Sequence, residues 1–448
     1  MTFSNTTITV MGLAKTGIAV ARFLAQRGAR VIATDMRNAT TLSGITTELA
    51  NDAIQLVLGE HRLQDFTLVD MVVTSPGVPQ DHPMLRAALA AHIPIISEIE
   101  LACRFITAPL IAITGTNGKT TTTTITGEIF KANGFNTFVG GNIGDPLINL
   151  VTAQSPIDRV VVEVSSFQLE WIQQFRPQVA ALLNLSEDHL DRYQCYDDYI
   201  NAKMRIFENQ LSTDIAVVNY DDPAVWERTS TLRAERLPFS RVTELEHGIF
   251  YTNERIIFRR NGNEQVFSTN NIALTGVHNI ENIMAALAAT LVTGCTQQPT
   301  QQSLNELQPL HHRMEFVAEK RGVRFYEDSK ATNVGSVVKA LESFDSIILI
   351  AGGKDKGGSY APMLPMVTAR VRHMVLIGEA AARMEQELGS GTTVHRAATI
   401  EDAVHQAATL AQPGDAVLLS PACSSFDMFR DYEERAQRFI AAVMELNG

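Results

Sequence analysis

The stretch ITGTNGKTTTTT, Ile113–Thr124, decides the fold of the central part of this chain. It follows an apolar run that begins at Leu110, and it passes from a predicted strand through glycines into a predicted helix. Glycines allow backbone N–H groups to point at an anion, while the helix N-terminus and a lysine add positive charge. The stretch therefore predicts a phosphate-binding loop, and a plain strand–turn–helix with an exposed lysine is the alternative.

This loop differs from the standard Walker A motif, because Ile113 occupies the position of the first glycine. The shortened form still supplies backbone amides, a lysine, and a hydroxyl group that suits Mg²⁺. The residues of this predicted phosphate-binding loop are Gly115, Thr116, Asn117, Gly118, Lys119, Thr120 and Thr121.

Strands and helices alternate along the rest of the chain. Near-continuous apolar strands followed by helical patterns are typical of parallel sheets covered on both faces. The pattern restarts near Ser97 and near Pro309. We therefore predict an α/β protein of three domains, each a mainly parallel sheet with flanking helices, over residues 1–97, 98–308 and 309–448. The first and third are predicted to be Rossmann-like and the central one to be a P-loop domain, with an antiparallel insertion over Phe239–Asn270.

Composition narrows the class of function. The chain has 448 residues, 45% of them hydrophobic, and a net charge of −12. This charge argues against a nucleic-acid partner, which needs a basic face. No apolar run approaches the ~18 residues of a membrane span, and the four cysteines form neither a zinc motif nor a disulfide framework. We expect a cytoplasmic enzyme without membrane insertion.

A second glycine-containing loop, Gly12–Gly17, follows the first predicted strand. It resembles G-x-G-x-x-G with Ala14 at the middle glycine, and Asp35 follows the next strand, where an acidic residue would meet a ribose. The loop alone leaves three alternatives open, namely a redox dinucleotide, another nucleotide, or a tight turn without a ligand.

Polar residues near other strand ends are further candidates. Glu163 interrupts the apolar strand VVVEV, and a buried carboxylate needs a cation or hydrogen bonds. A structural pair with an arginine is the alternative for Glu163, and a structural role is the alternative for His189. Lys203 lies on a predicted helix with apolar neighbours, where a lysine that extends its charge to solvent is the plain interpretation. Three polar strand ends, EDSKATN, GGKDKGG and SPACSSFDMF, predict a ligand site in the last domain.

As a set, these motifs resemble the Mur ligases, the ATP-dependent amide ligases of peptidoglycan synthesis. The likeness extends from Ile8 to the C-terminus and, within the family, is greatest to the members that add D-glutamate. The motifs that carry it occur in the family's order: ITGTNGKTTT, VVVEVSSFQLE, NLSEDHLDRY, NAKMRIF, GVHNIEN, LQPLHHRMEF, EDSKATN and LLSPACSSFDMF. The resemblance implies that D-glutamate is joined to UDP-N-acetylmuramoyl-L-alanine through an acyl phosphate, with release of ADP and phosphate.

The resemblance also implies cofactors and roles for single residues. ATP and a pair of Mg²⁺ ions would be required, and carbon dioxide would carbamylate Lys203. The implied catalytic residues are Lys119, His189 and Lys203, and the implied metal ligands are Thr120, Glu163, His189 and the carbamate of Lys203. The implied ATP contacts are the residues of the phosphate-binding loop, Gly115–Thr121, together with Asn279, Arg313 and Asp328. The implied contacts to the UDP substrate are Ala14, Lys15, Thr16, Asp35, Arg37, Gly77 and Asn142, and those to D-glutamate are Thr332, Lys356, Ser425 and Tyr432.

Two positions depart from the family pattern. Met36 replaces a threonine between the matching acid and arginine, and Tyr432 stands where a phenylalanine is expected. Two other functions remain as alternatives, a folylpolyglutamate synthase and a P-loop protein that hydrolyses ATP without ligation. The resemblance implies a monomer whose partners are the two small-molecule substrates.

Overall fold

The structure is a computed structural model that describes residues 2–49, 54–152, 156–274, 276–308 and 311–446. Two compact units are present. The first comprises Met1–Leu185, Asp197–Ile272 and Asn279–Glu306, and the second comprises Ser186–Tyr196, Ala273–His278 and Leu307–Gly448. The first unit holds two sheets and the second holds one. The predicted boundary at Pro309 lies outside the described residues, and the three domain ranges stay a prediction.

The first sheet is wholly parallel. Its strands are β1 (Thr7–Met11), β2 (Arg30–Asp35), β3 (Ile54–Leu58), β4 (Met71–Thr74) and β5 (Ile95–Ser97), and its helices are α1 (Lys15–Gln26), α2 (Ser43–Leu49), α3 (Gln64–Thr67), α4 (Pro83–Ala90) and α5 (Glu98–Cys103). The strand order is β3-β2-β1-β4-β5. The order reverses at β1, so the loop that follows β1 lies where open α/β sheets bind ligands.

The second sheet has nine strands. They are β6 (Leu110–Thr114), β7 (Thr137–Gly141), β8 (Arg159–Glu163), β9 (Val179–Leu182), β10 (Ile215–Asn219), β11 (Glu235–Ser240), β12 (Gly248–Thr252), β13 (Arg255–Arg260) and β14 (Asn263–Ser268). Their order is β14-β13-β12-β11-β10-β9-β6-β8-β7. The accompanying helices are α6 (Lys119–Ala132), α7 (Leu147–Thr152), α8 (Ser166–Leu169), α9 (Tyr196–Met204), α10 (Pro223–Arg228), α11 (Val277–Leu291) and α12 (Gln297–Glu306), with a 3-10 turn at Arg205–Phe207.

The predicted antiparallel insertion extends this sheet. β12, β13 and β14 pair antiparallel, as expected, but β11 joins β12 to the rest of the sheet in parallel register. The hairpins turn at Asn253–Glu254 and Asn261–Gly262, where all four residues have positive φ. Such turns match the right-handed twist of the flanking strands, which therefore continue the sheet.

The third sheet lies in the second unit. Its strands are β15 (Glu315–Lys320), β16 (Val323–Glu327), β17 (Ile347–Gly352), β18 (Val371–Ile377), β19 (Thr393–Arg396) and β20 (Ala416–Leu419), in the order β15-β16-β20-β17-β18-β19. Only the pairing of β15 with β16 is antiparallel among the described strands of this sheet. The helices are α13 (Val334–Leu341), α14 (Leu364–Arg370), α15 (Ala381–Leu388), α16 (Ile400–Leu410) and α17 (Tyr432–Glu445), with a 3-10 turn at Ala361–Met363.

Burial along β17 shows how the third sheet is covered. Ile347 and Leu349 belong to one buried apolar cluster, whereas Ile348 and Ile350 belong to another. Alternate residues of a strand point to opposite faces, so helices cover both sides of the sheet. The α/β class with mainly parallel sheets and flanking helices is confirmed. Within the described residues, no helix is both long and apolar enough to span a bilayer.

Candidate functional site

The loop after β6 has the shape of a phosphate cradle. Gly115 and Gly118 have φ values of 154° and 83°, and α6 begins directly afterwards at Lys119. A Cβ on Gly118 would lie 2.2 Å from Asn282 Oδ1, so a larger residue would displace that side chain. Lys119 Nζ donates to the carbonyl oxygens of Gly115 at 3.0 Å and of Thr116 at 2.8 Å. The ammonium group therefore lies over the loop, close to the amino end of α6.

Glu163 ends β8 beside this loop and is almost completely buried. Thr120 Oγ1 donates to one carboxylate oxygen and Asn142 Nδ2 to the other, both at 2.8 Å. Both donors are neutral groups. The two hydrogen bonds to Glu163 therefore come from a threonine and an asparagine and not from an arginine, as the structural alternative required. A hydroxyl and a carboxylate are oxygen ligands of the kind that Mg²⁺ prefers. Thr120 and Glu163 therefore fit a Mg²⁺ ion, which would supply the compensating charge.

Lys203 reaches the same loop from α9. Its side chain is buried, and Nζ donates to the Gly115 carbonyl oxygen at 2.8 Å. The nitrogen also lies 4.6 Å from the centroid of the Tyr199 ring, whose hydroxyl donates to Thr116 Oγ1 at 3.2 Å. The interpretation of Lys203 as a lysine that extends to solvent is wrong. Lys119 and Lys203 share one carbonyl oxygen, which makes their ammonium groups close neighbours.

The loop after β1 is connected to the segment between β7 and α7. Lys15 Nζ donates to the Gly144 carbonyl oxygen at 2.6 Å and lies 3.1 Å from Asp145 Oδ1. Ala14 and Lys15 are exposed, and Thr16 lies in the first turn of α1. The segment that holds Gly144 also carries Asn142. The predicted contacts of the UDP substrate in these two loops are therefore brought together.

Asp35 ends β2 beside the first loop. Its carboxylate accepts hydrogen bonds from Leu13 N at 2.8 Å and from Arg37 Nη2 at 2.7 Å. Burial raises the pKa of Asp35, but the hydrogen bonds from Arg37 and from the Leu13 amide outweigh it and bring the pKa to about 2. Asp35 is therefore ionised at neutral pH. Met36 is exposed, and so is Gly77, which has open space where a Cβ would stand.

In the second unit, Asp328 follows β16 and is buried. It accepts hydrogen bonds from Ser420 Oγ at 2.8 Å and from Met314 N at 3.3 Å. Burial raises its pKa to about 7. The neighbouring Arg313 has a buried Nε without a hydrogen-bond partner among the described residues. A carboxyl group and a guanidinium with unused hydrogen-bonding capacity suit a polar ligand such as a nucleotide.

His189 lies beside an ion pair that the sequence did not predict. Lys356 Nζ lies 2.9 Å from Asp188 Oδ1, and both side chains are largely buried. Asn333 Nδ2 lies 3.4 Å from the other carboxylate oxygen. His189 has a positive φ of 56°, and its backbone N–H donates to Asp188 Oδ1 at 2.9 Å. The structure thus brings His189 and Lys356 to one carboxylate.

The residues predicted for D-glutamate lie after neighbouring strands of the third sheet. Thr332, Lys356 and Ser425 follow β16, β17 and β20, which are adjacent and parallel. Tyr432 begins α17, and its hydroxyl donates to Glu433 at 3.1 Å. Burial and the neighbouring Glu433 raise the pKa of Tyr432 to about 12, so the hydroxyl stays neutral at ordinary pH.

Several functional candidates were missed by sequence reasoning. Asp188 and Asn282 lie inside the motifs NLSEDHLDRY and GVHNIEN. Their place in these motifs was the sequence feature that could have identified them. His312, Glu315 and Glu327 place three potential metal-ligand atoms within 4.8 Å of one another. His312 Nδ1 lies 2.8 Å from Glu327 Oε2. Two of the three residues are therefore already joined by a direct hydrogen bond.

The predicted ATP and metal residues fall in both units. Lys119, Glu163, Lys203 and Asn279 belong to the first unit, whereas His189, Arg313 and Asp328 belong to the second. Asn279 Oδ1 accepts a hydrogen bond from Asn282 at 3.4 Å. Their assembly around one nucleotide stays a prediction.

Comparison with known proteins assigns the family. Residues 6–97 match the Mur ligase MurD-like N-terminal domain, residues 113–290 the Mur ligase middle domain, and residues 312–423 the Mur ligase glutamate ligase domain. The chain is 64% identical over 438 residues to UDP-N-acetylmuramoylalanine--D-glutamate ligase from Trichlorobacter lovleyi, which covers 98% of each chain. It is 61% identical to the protein of that name from Pelobacter propionicus, over 446 residues and 100% of each chain.

A solved structure supports the fold. UDP-N-acetylmuramate-alanine ligase MurC from Thermotoga maritima superposes with a TM-score of 0.60 at 19% identity, covering 98% of this chain and 99% of the other. The resemblance inferred from the motifs is confirmed. By identity over its whole length, the chain belongs to the Mur ligase family, the ATP-dependent ligases of peptidoglycan precursor synthesis.

Proposed function

We propose that this enzyme joins D-glutamate to UDP-N-acetylmuramoyl-L-alanine at the expense of ATP. The observation that carries the proposal is a path of contacts in the first unit between the phosphate loop and the loop after β1. Thr120 binds Glu163, Glu163 binds Asn142, and the segment that carries Asn142 binds Lys15. This path links the predicted ATP loop to the predicted UDP-substrate loop, an arrangement suited to a reaction between the two ligands.

The chemistry follows from what each group can do. The carboxylate of the alanyl substrate attacks the γ-phosphorus of ATP, which yields an acyl phosphate and ADP. The neutral amine of D-glutamate then attacks the acyl carbon, the bond between that carbon and the phosphate oxygen breaks, and the nitrogen gives up a proton to solvent or to the departing phosphate as the amide forms. Lys119 and the amides at the start of α6 stabilise negative charge on the transferred phosphoryl group. Mg²⁺, when bound by Thr120 and Glu163, would neutralise phosphate charge.

Lys203 is proposed to act as a carbamate. As an ammonium group it lies beside Lys119, where two positive charges repel each other. Carbon dioxide adds to a neutral amine and gives a carbamate with the loss of a proton, which turns the cation into an anion with two oxygens. Such a group would be an oxygen ligand for Mg²⁺. The number of Mg²⁺ ions and the part of His189 as a ligand belong to this proposal.

The remaining roles are proposed as the resemblance implies them. Asn279, Arg313 and Asp328 would contact ATP, and Thr332, Lys356, Ser425 and Tyr432 would contact D-glutamate. The UDP substrate would meet the loop after β1 together with Asp35, Arg37, Gly77 and Asn142. A cytoplasmic monomer is proposed as well, and sedimentation of the purified protein with and without substrates tests the monomer.

Phosphate release tests the function directly. The enzyme is incubated with Mg²⁺, ATP and UDP-N-acetylmuramoyl-L-alanine, and D- and L-amino acids are added one at a time. Sustained release is expected only with the UDP substrate and D-glutamate together, because turnover of the acyl phosphate requires an amine. Rapid hydrolysis with neither substrate present would favour a simple ATPase. Turnover with a folate substrate in place of the UDP substrate would favour the other amide ligase.

A further inference from the structure

Asn184 contacts the phosphate loop from the segment that directly follows β9. Its side-chain Oδ1 accepts a hydrogen bond from Asn117 N at 2.8 Å, and its Nδ2 donates to the Asn117 carbonyl oxygen at 3.1 Å. Its own carbonyl oxygen accepts from Thr116 N at 3.0 Å. Three hydrogen bonds therefore join one residue to two successive residues of the loop.

These contacts lie just beyond the paired residues of β6 and β9, whose register ends at Thr114 and Leu182. Leu183 N donates to the Thr114 carbonyl oxygen at 3.0 Å. Thr116 N then donates to the carbonyl oxygen of Asn184, whereas a regular parallel ladder would use that of Leu183. The side-chain amide of Asn184 carries a donor and an acceptor, as a peptide group does, and it binds both the N–H and the carbonyl oxygen of Asn117.

The segment around Asn184 is itself held from the other side. Asn219 Nδ2 donates to the Leu183 carbonyl oxygen at 2.9 Å, and Leu185 N donates to Asp222 Oδ2 at 2.9 Å. Leu183 also packs closely against the loop, because a Cβ on Gly115 would lie 3.0 Å from Leu183 Cβ. Asn184 is therefore a fixed support for the loop.

This support decides which groups of the loop face a ligand. The N–H groups of Thr116 and Asn117 are directed at Asn184, whereas α6 begins at Lys119, two residues after Asn117. We infer that Asn184 is a positioning residue for ATP, which holds Thr116 and Asn117 in place so that the α6 N-terminus and Lys119 meet the phosphates. A loop ordered before binding loses less conformational freedom when the ligand arrives. The inference rests on the use of ATP in the proposed function.

Nucleotide affinity of two variants tests the inference. Asn184→Ala removes both side-chain bonds, and the nearly isosteric Asn184→Asp keeps the acceptor but loses the donor. Binding of ADP with Mg²⁺ is measured by titration calorimetry, and the midpoint of thermal unfolding is measured without ligand. The Kd for ADP is expected to rise at least about tenfold in both variants.

Asn133 offers a matched control. It caps the opposite end of α6, where Nδ2 donates to the Ile129 carbonyl oxygen at 2.9 Å and Oδ1 accepts from Thr296 N at 2.8 Å. Asn133→Ala is expected to lower the unfolding midpoint while the ADP affinity stays within about twofold of the parent, since its hydrogen bonds are remote from the loop.

The outcomes separate the inference from the proposed function. If the folded Asn184 variants bind ADP as tightly as Asn133→Ala, Asn184 has a structural role only and the inference is overturned. If Asn184→Ala does not fold, the Kd of Asn184→Asp for ADP is the measurement that tests the inference. A parent enzyme that binds neither ADP nor ATP contradicts the proposed function instead. In steady-state assays, the inference predicts a rise in the KM for ATP that exceeds the rise for the UDP substrate and for D-glutamate.

Discussion

Lys356 is bound to Asp188 through a 2.9 Å ion pair between two largely buried side chains. Asp188 directly precedes His189, and Asn333 contacts the same carboxylate. A cation proposed for the amino-acid substrate is thus already held by an acidic residue of the protein. A substrate carboxylate that joins this pair would meet an ammonium group that Asp188 already orients. Replacement of Lys356 should therefore affect the binding of the amino-acid substrate.

Lys356→Ala is expected to raise the KM for D-glutamate at least about tenfold, which corresponds to ~1.4 kcal/mol. Removal of a charge-assisted hydrogen bond costs about 1.5–3 kcal/mol, and an unpaired buried carboxylate costs more. The KM values for ATP and the UDP substrate should change far less. Steady-state kinetics with each substrate varied in turn measures this.

Lys354→Ala is the matched control, because Lys354 lies in the same loop but pairs with the exposed Glu379 at 2.6 Å. Its KM for D-glutamate should stay close to that of the parent. If all three KM values of Lys356→Ala rose together, the residue would act on stability or on the loop as a whole, and the placement of the glutamate site would be wrong.

Lys119→Ala is expected to abolish activity. The change removes a positive charge from the site of phosphoryl transfer, where one such interaction contributes roughly 3–4 kcal/mol to the transition state. The initial rate of phosphate release measures the effect. Lys131 near the other end of α6, which pairs with Glu128 at the surface, supplies the control variant Lys131→Ala with parental activity expected. Activity of Lys119→Ala within about tenfold of the parent would show that the loop is not the catalytic cradle.

Carbamylation of Lys203 makes a separate prediction. Lys203→Ala should be nearly inactive, and a small added carboxylate should restore part of the activity because it can supply the missing oxygen ligands. Addition of bicarbonate to enzyme prepared without carbon dioxide should also raise the activity of the parent. Full activity without carbon dioxide, together with an unmodified Lys203 in the same preparation by crystallography, would refute the carbamate.

Glu98 makes the stability of the first unit depend on pH. It is buried, and one oxygen accepts a hydrogen bond from Ile148 N at 2.6 Å. Burial raises the pKa of Glu98 from 4.5 to about 7. The folded state therefore holds a proton that the unfolded state releases, so this residue lowers the free energy of unfolding as pH rises from about 4.5 to about 7.

Glu98→Gln should remove that dependence. Relative to the parent, the variant should gain roughly 2–3 kcal/mol of stability between pH 5 and pH 8, at ~1.4 kcal/mol for each unit of pKa shift. Thermal unfolding midpoints at the two pH values measure the change. Glu128→Gln, at an exposed site on α6, should show no comparable difference. If the difference in unfolding midpoint between the parent and Glu98→Gln were the same at both pH values, the raised pKa of Glu98 would be contradicted.

Local sequence predicted much of the architecture. Apolar strands followed by glycines and helices identified the α/β class, because short-range patterns record the period of each element and the backbone angles that glycine alone adopts readily. The short strands and turns of the β12–β14 hairpins were also predicted. The pairing that joins these hairpins to the central sheet was not predicted, because strand order depends on contacts between distant segments.

The sequence by itself determined the phosphate loop, the polar strand ends and, through long motifs, the family. Only the tertiary structure decided that Lys203 reaches Gly115, that Glu163 is held by Thr120 and Asn142, and that Asp188 binds Lys356. A residue's type and neighbours limit its chemistry, but its partners are chosen by the packing of elements that lie far apart along the chain. For a buried charge this choice is decisive, because an ion withdrawn from water is stable only where the fold brings it a partner.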